Sequence, residues 1–234
     1  MADSLSERIG ILAEWLCEST YPVVFTGAGI STESGLRDFR GPDGVWTRRD
    51  KGLTTPRQDF TGAQPNFGHE AITELQNLGK LKFLISQNVD NLHLKSGINP
   101  EIIAELHGNL TKVRCEECQF KMDRMEGERE CPLCDGKLVS TVVDFGMSLP
   151  EKDLMESYEH SQKCDLFIVI GSSLVVYPAA DMPRVALQAG ARLVIINQGE
   201  TPYDDQADLW FSEAIGEVLP PAVERLKALL DKES

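Results

Sequence analysis

The chain has 234 residues, a hydrophobic fraction of 41%, a charged fraction of 26% and a formal net charge of −14. That length suits one sizeable domain with an insertion, or two small ones, and is enough to bury a core. The acidity disfavours bulk binding to nucleic acid or to an anionic membrane; it suits basic, lysine-rich partners and equally serves solubility alone.

Residues 1–16 carry Asp and Glu among their apolar positions, and no basic region leads into an apolar run, so no signal peptide is expected. Apolar runs such as Leu166–Ile170 are far too short to span a bilayer. The expected location is cytoplasmic, or nuclear if the source has a nucleus. In such a reducing compartment the six cysteines argue against a disulfide framework.

Leu5, Ile9, Leu12, Trp15 and Leu16 recur at helical spacing and predict an amphipathic helix over 4–17, with Cys17 buried at its end. Val23-Val24-Phe25 reads as a buried strand. It runs into Thr26-Gly27-Ala28-Gly29-Ile30-Ser31, and Ser31, Thr32 and Ser34 are residue types that cap a helix start. Strand, glycine turn and helix N-terminus together make an anion site, because glycine lets backbone approach a phosphate and free N–H groups favour negative charge. Gly27 and Gly29 fit the first two glycines of G-x-G-x-x-G, and Thr32 stands at the third. By itself the turn fits a plain strand-to-helix connection equally well.

Residues 35–64 hold several Gly, Pro and Arg residues without a sustained period, the pattern of a functional lid or binding loop. A helix is expected over 66–78, capped by Asn66 and stopped by Gly79. A strand over 81–86 ends at Gln87-Asn88-Val89-Asp90, and another over 101–106 ends at His107-Gly108. A cysteine-bearing insert covers 114–138. The strand Leu166–Ile170 runs into Gly171-Ser172-Ser173, a helix is expected over 179–188, and the strand Arg192–Ile196 ends at Asn197. A last helix covers 216–230, with Pro220-Pro221 near its first turn.

Short apolar strands alternating with helices predict an α/β fold, a doubly wound Rossmann-like parallel sheet with a small zinc-binding insert domain. The polar clusters fall at strand C-terminal ends, the edge where such sheets bind ligands. Cys115-x2-Cys118 and Cys131-x2-Cys134 supply four thiolates for a tetrahedral zinc with no open position, hence a structural site. The insert has too few apolar residues to fold alone, so the metal supplies the missing stability. Glu116, Glu117, Asp123, Glu126, Glu128 and Glu130 argue against a zinc ribbon that binds nucleic acid. Cys164, ahead of an apolar strand, fits a buried residue.

Taken together, Gly27-Ala28-Gly29-Ile30-Ser31, Asp38-Phe39-Arg40-Gly41, Gln87-Asn88-Val89-Asp90-Asn91-Leu92-His93, Leu106-His107-Gly108, the cysteine pairs and Gly171-Ser172-Ser173 closely resemble the sirtuins, NAD-dependent protein-lysine deacylases. The likeness covers residues 23–218. It implies a single catalytic domain over 1–234. The Rossmann-like part takes residues 1–34, 66–109 and 142–234, the cofactor loop residues 35–65 and the zinc module residues 110–141. It implies a reaction in which the acyl-lysine amide oxygen attacks the ribose carbon bearing nicotinamide, nicotinamide leaves, and the acyl group ends on ADP-ribose. His107 is then the base for a ribose hydroxyl, a role that imidazole fits near neutral pH. Asn88 positions the ribose, Asp90 holds the carboxamide and Gln87 lines the same pocket. Gly27, Ala28, Gly29, Ser31, Asp38, Phe39 and Arg40 belong to the cofactor site. Gly171, Ser172 and Ser173 meet phosphates, Asn197 holds the adenosine ribose, and Ile215 is the last adenine-side contact. Val143, Asp144, Phe145 and Gly146 fall in the peptide-binding strand. His69, His93 and His160 are read as structural or exposed. The implied partners are NAD, zinc and acyl-lysine proteins or peptides, with neither a membrane nor a nucleic acid among them.

Gly41-Pro42-Asp43-Gly44-Val45-Trp46 and the short segment from 53 to 65 resemble the branch of the human sixth and seventh sirtuins. The sequence departs from the family at Leu36-Arg37, where Ile-Pro is usual, and over Val143-Asp144-Phe145-Gly146-Met147, where many members have an aromatic and a Glu in the peptide-binding strand. Gly171-Ser172-Ser173 replaces Gly-Thr-Ser and keeps the hydroxyl. Protein mono-ADP-ribosylation on the same site, which Arg37 keeps open, and a non-catalytic NAD-sensing zinc scaffold are the alternative functions. Asn88, Asp90 and His107 together argue against the latter.

Overall fold

The computed structural model describes residues 4–56, 58–60, 62–144 and 146–233; Arg57 and Phe145 lie outside the described residues. Helix α1 (Leu5–Glu18) opens with a capping box, in which Ser4 Oγ accepts the Glu7 N–H and the Glu7 carboxylate accepts the Ser4 N–H. Strand β1 (Pro22–Thr26) is buried throughout. Beyond β1 the structure corrects the expected helix start. The chain makes a 3₁₀ turn, Ala28–Ser34, and stops at Gly35 with φ 82°. Ser31 does not cap it, because its hydroxyl donates to Asp90, and the Thr32 hydroxyl donates back to the Gly29 carbonyl.

Inside the long loop lies a short helix that the sequence pattern does not announce, α2 (Val45–Asp50). Helix α3 (Phe67–Asn77) begins where Asn66 Oδ1 accepts the N–H groups of Gly68 and His69, and Gly79 (φ 71°) ends it. Strand β2 (Phe83–Ser86), the one-turn helix α4 (Leu92–Lys95) and strand β3 (Ile103–Glu105) come next. Strands β4 (Lys112–Cys115), β5 (Lys121–Asp123) and β6 (Leu138–Ser140) form a separate antiparallel sheet in the order β5-β4-β6. Helix α5 (Glu151–Lys163) has no counterpart among the elements predicted from sequence. After it come β7 (Leu166–Ile170), a 3₁₀ turn (Ala179–Asp181), α6 (Met182–Gln188), β8 (Arg192–Ile196), β9 (Leu209–Phe211) and α7 (Ile215–Glu233). Pro220 and Pro221 lie inside α7, past its first turn.

The main sheet has the order β3-β2-β1-β7-β8-β9, and every pair is parallel. This is the doubly wound arrangement, with its reversal between β1 and β7. Period-two alternation builds two cores. Val24, Leu84, Ile168 and Val194 face α1, α3 and α7, while Phe25, Ile85, Val169 and Ile195 face α5 and α6. Each such side chain, fully buried, is worth about 1.5–3 kcal/mol. Among the described residues no helix is long and apolar enough to cross a membrane.

Four histidines are held away from their protonated form. Burial lowers His69 from 6.5 to about 4, against a smaller opposing pull from Asp90. Burial lowers His93 well below the ordinary value, and His69 adds to the effect. His107 and His160 shift the same way, chiefly by desolvation. A histidine with a depressed folded-state pKa binds its proton more readily in the unfolded chain. Stability is therefore intact above about pH 6.5 and is lost as pH falls toward the folded-state pKa. At pH 5, His69 alone should cost about 2 kcal/mol. Asp165, lowered to about 2 by hydrogen bonds from Ser19, Thr20 and Tyr21 that outweigh its desolvation, adds its loss only below that window. Urea unfolding at pH 7.5 and pH 5.0 checks this; an equal unfolding free energy at the two would refute it.

Candidate active site and metal centre

At the reversal point two turns meet. The Gly29 N–H donates to the Gly171 carbonyl at 2.8 Å, and the Gly27 N–H donates to the Ile170 carbonyl at 3.0 Å. A Cβ on Gly27 would lie 2.7 Å from Gly171 O, and one on Gly29 would lie 2.7 Å from Gly171 Cα. Gly171 itself has φ +63°, and a Cβ there would lie 2.4 Å from the Ile30 nitrogen. These glycines are demanded first by loop-on-loop packing. Gly27 stands behind the cleft wall, whereas Ala28 and Gly29 line the cleft.

The cleft has a volume of about 1610 Å³ and runs along the strand exits. Of the residues singled out from sequence, it is lined by Ser31, Asp38, Phe39, Arg40, Gln87, Asn88, Asp90 and His107. Val143, Asp144, Gly146, Gly171, Ser172, Ser173, Asn197 and Ile215 also line it. Its centre is a fixed polar network. Ser31 Oγ donates to Asp90 Oδ2 at 2.6 Å, and Asn88 Nδ2 donates to Ser31 Oγ at 3.2 Å. The Leu92 N–H donates to Asp90 Oδ1 at 2.9 Å. Ser172 Oγ donates to Gln87 Oε1 at 2.7 Å. His107 Nδ1 lies 2.9 Å from the Gln87 carbonyl oxygen, which can only accept, so Nδ1 carries the proton and Nε2 is the basic nitrogen. Burial lowers the His107 pKa, so the imidazole is neutral and able to take a proton at pH 7.

The loop over the cleft is internally folded. Val45 and Trp46 N–H groups donate to the Asp38 and Phe39 carbonyls, Phe39 packs on Trp46 at 5.3 Å, and the Arg40 guanidinium lies 4.6 Å over the Trp46 ring. Burial raises the Asp38 pKa, against the Gly41 N–H that donates to its carboxylate.

Cys115, Cys118, Cys131 and Cys134 bring their sulfurs within 4.8 Å of one another. Cys115 and Cys134 lie 3.5 Å apart and Cys118 and Cys131 3.6 Å apart, sulfur to sulfur. These separations are far longer than a disulfide and near the roughly 3.8 Å edge of a tetrahedron with Zn–S of about 2.3 Å. The two turns repeat each other. The Gln119 N–H bonds the Cys115 carbonyl and the Asp135 N–H bonds the Cys131 carbonyl, with both donors left-handed at φ 61° and 59°. Backbone N–H groups of Cys118, then Glu117, outweigh desolvation and pull the Cys115 thiol down to about 7. Four convergent thiols with amide support fit a zinc ion, and such a site is closed to substrate.

The Sir2 family model matches residues 53–178. An NAD-dependent protein deacetylase of Bradyrhizobium diazoefficiens is 41% identical over 249 residues, covering 95% of this chain and 98% of that protein. The chain belongs to the Sir2 family. A solved Sir2 homologue in complex with NAD is 36% identical, with a TM-score of 0.78 and coverage of 94% of each chain. Sir2Af2 bound to a myristoylated histone peptide is 37% identical, with a TM-score of 0.73 and coverage of 97% and 99%.

This Sir2 chain also lines its cleft with residues outside the sequence motifs, notably Leu149, Leu154, Val175, Val176 and Tyr177. Their signal is present as an apolar run, Leu174 to Tyr177, placed directly after a glycine strand exit. Its Tyr177 stays 63% exposed, which core packing does not explain.

Cys131 is 1% exposed and bonded through its backbone to Gly136 and Asp135. Cys131→Ala should therefore leave an incomplete ligand set, bring the zinc content well below one ion per chain and lower the melting temperature. Metal analysis beside thermal melting checks this; full zinc loading in the variant would refute the ligand set.

Proposed function

We propose that this chain is an NAD-dependent protein-lysine deacylase. The single observation that carries the reading is the His107 imidazole. It is neutral, fixed through Nδ1 to the Gln87 carbonyl so that Nε2 is the basic nitrogen, and it lines the cleft that Ser31, Asn88 and Asp90 share. The relatives support it: a protein deacetylase, an NAD complex and an acyl-peptide complex.

NAD supplies a glycosidic bond that releases nicotinamide as the acyl group passes to ADP-ribose. In this reading the turn Gly171-Ser172-Ser173 meets the phosphates through its serine hydroxyls and the Ser172 and Ser173 backbone, Asn197 and Ile215 take the adenosine end, and Asn88 orients the nicotinamide ribose. Asp90, oriented by Ser31 and Leu92, accepts the carboxamide N–H groups. His107 takes the proton of a ribose hydroxyl. Asp38, Phe39 and Arg40 close the cofactor side, and Val143, Asp144 and Gly146 carry the peptide. Phe145, read in the same strand, lies outside the described residues. Residues 110–141 form the zinc module, residues 35–65 the cofactor loop and the remainder the Rossmann-like part. A place near the human sixth and seventh sirtuins is supported by Gly41–Trp46 leading into α2, and by the lack of a helix among the described residues from 51 to 66.

His107→Ala should keep fold and zinc and lower kcat/KM by about 10²-fold or more. In the wild type the acid limb of kcat/KM should inflect below 6.5, since burial lowers this imidazole's pKa. Mass spectrometry of an acyl-peptide with NAD checks the reaction. Nicotinamide with acyl-ADP-ribose supports the reading; an ADP-ribose mass gain on protein marks transferase chemistry instead, and near wild-type turnover by His107→Ala sinks the base.

The acyl group follows from the cleft wall. Phe39, Val143, Met147, Leu149 and Val175 make it apolar, and burial there is worth about 0.8 kcal/mol per methylene. A dicarboxylic acyl group would bury a charge in that wall, which is costly without a partner, and Arg40 is already stacked on Trp46. A myristoyl-lysine peptide should show higher kcat/KM than its acetyl twin, mainly through KM, and a succinyl peptide should be poor. Steady-state kinetics on the three peptides at saturating NAD checks this; a faster succinyl peptide would point to Arg37, or to Arg57 outside the described residues.

A further inference from the structure

Behind the Asp90 carboxylate lie two histidines that the proposed chemistry does not use. His93 is 3% exposed and His69 0%. Their ring centroids are 5.0 Å apart with an interplanar angle of 56°. Each uses one nitrogen. His93 Nε2 shares a 2.9 Å hydrogen bond with Thr26 Oγ1, and His69 Nδ1 lies 3.0 Å from Asn66 Oδ1. The other two, His69 Nε2 and His93 Nδ1, are buried with no hydrogen-bond partner among the described residues. An orphaned buried nitrogen is a stability cost that an apolar side chain of similar size would avoid. The nitrogen that is paired therefore needs its own account.

That account lies in what His93 stands on. Helix α4 has four residues, too few to hold its place by its own hydrogen bonds. It starts at Asn91, a left-handed residue with φ 68°, and its first amide is the Leu92 N–H that holds Asp90 Oδ1 at 2.9 Å. One residue on, His93 ties the helix to Thr26, the last residue of β1, one position before Gly27. Behind it, His69 stands on α3, whose Asn66 cap donates to the Ile30 carbonyl at 2.7 Å and to Ser34 Oγ at 3.0 Å. The pair thus braces α4 from behind, while Ser31 holds Asp90 from the front.

We propose that His93, backed by His69, is a positioning residue for the NAD site: its bond to Thr26 fixes α4, and α4 fixes the Asp90 carboxylate through the Leu92 N–H. The inference rests on the reading that Asp90 meets the nicotinamide carboxamide. It assigns to Thr26, His93 and His69 a role in cofactor affinity that core packing alone does not give them.

The test separates affinity from stability. Thr26→Val is nearly isosteric and removes the partner of His93; His93→Leu removes the ring nitrogen; His93→Gln keeps a polar group at the reach of Nε2. Both Thr26→Val and His93→Leu should raise KM for NAD about tenfold, the scale of one lost hydrogen bond, and leave KM for the acyl-peptide within about twofold. His93→Gln should recover NAD affinity to within about threefold of wild type. The double variant Thr26→Val/His93→Leu removes both partners and one orphan, so it should melt no lower than either single variant while keeping the NAD defect. Steady-state kinetics and calorimetric NAD binding, read beside thermal melting, decide it. An unchanged KM for NAD in Thr26→Val would overturn the proposal, as would KM values for NAD and peptide rising together as the melting temperature falls. Wild-type protein that does not bind NAD would overturn the deacylase reading along with it, whereas wild-type binding with silent variants overturns the positioning role alone.

Discussion

The cleft exists because two strand exits touch without side chains between them. Gly27 and Gly29 leave β1, Gly171 leaves β7, and the three approach so closely that a Cβ on any of them would sit under 3.0 Å from backbone. A doubly wound sheet opens a crevice where its strand order reverses. Here the order reverses at that contact, and the polar groups on the neighbouring exits become one network. Ser172, one residue past Gly171, reaches the Gln87 side chain, and the Gln87 carbonyl fixes His107. Ser31, two residues past Gly29, reaches Asp90. Widening the glycine contact would separate these pairs.

The zinc module bears on the same residues from the other side. His107-Gly108-Asn109 leads within a few residues into β4, and β6 returns through Thr141 to Val143, whose N–H donates to the His107 carbonyl at 3.0 Å. Gly108 (φ +78°) packs so closely that a Cβ would meet Thr141 O at 2.0 Å. Asn109, 1% exposed, ties Asn91, Glu105 and Thr141 together, and Glu105 pairs with Lys112 at 3.0 Å. Four thiolates on one ion would hold β4 and β6 together at their far end, so the metal bears on His107 without touching it. The Asp153 carboxylate adds a second tie, accepting the Glu105 N–H and pairing with Lys121.

What could be read from the sequence was whatever announces itself by apolarity or rarity. The five-residue strands Leu166–Ile170 and Arg192–Ile196, the Asn66 cap with its Gly79 stop, and the four cysteines all carry strong local signals. Helix α5 stayed hidden because small polar residues supply much of its buried face. Ser157 and Ser161 are fully buried and return their hydroxyls to the carbonyls of Asp153 and Ser157, so no apolar period marks them. Strands β4 to β6 stayed hidden because their residues are mostly half-exposed, and their order comes from cysteine geometry rather than from a core. The helix expected after the glycine turn failed because Ser31 and Thr32 spend their hydroxyls elsewhere. Most residues singled out as motifs line the one cleft, and what the sequence pattern did not announce was the wall of Leu149, Leu154 and Val175 to Tyr177, which only the fold brings into that cleft.

The loop of residues 35–65 and Asp90 are both held by helix α4. The stretch from Asp38 to Trp46 is folded on itself, and a Cβ on Gly44 would lie 2.5 Å from the Phe39 carbonyl carbon. The loop's seat on the rest of the protein is the apolar contact of its Leu36, Ala63 and Phe60 with Leu92, and the Arg37 N–H closes the loop on itself by donating to Gln58 Oε1. Leu92 is the same residue whose N–H holds Asp90 Oδ1, and Lys95, at the other end of α4, donates to the Ala63 carbonyl. Helix α4 therefore touches the carboxylate with its first amide and the loop with its side chains. A shift of α4 that re-aims Asp90 must also disturb the seat of the loop, and a ligand that fixes Asp90 stabilises the loop by the same amount that the seated loop favours the ligand.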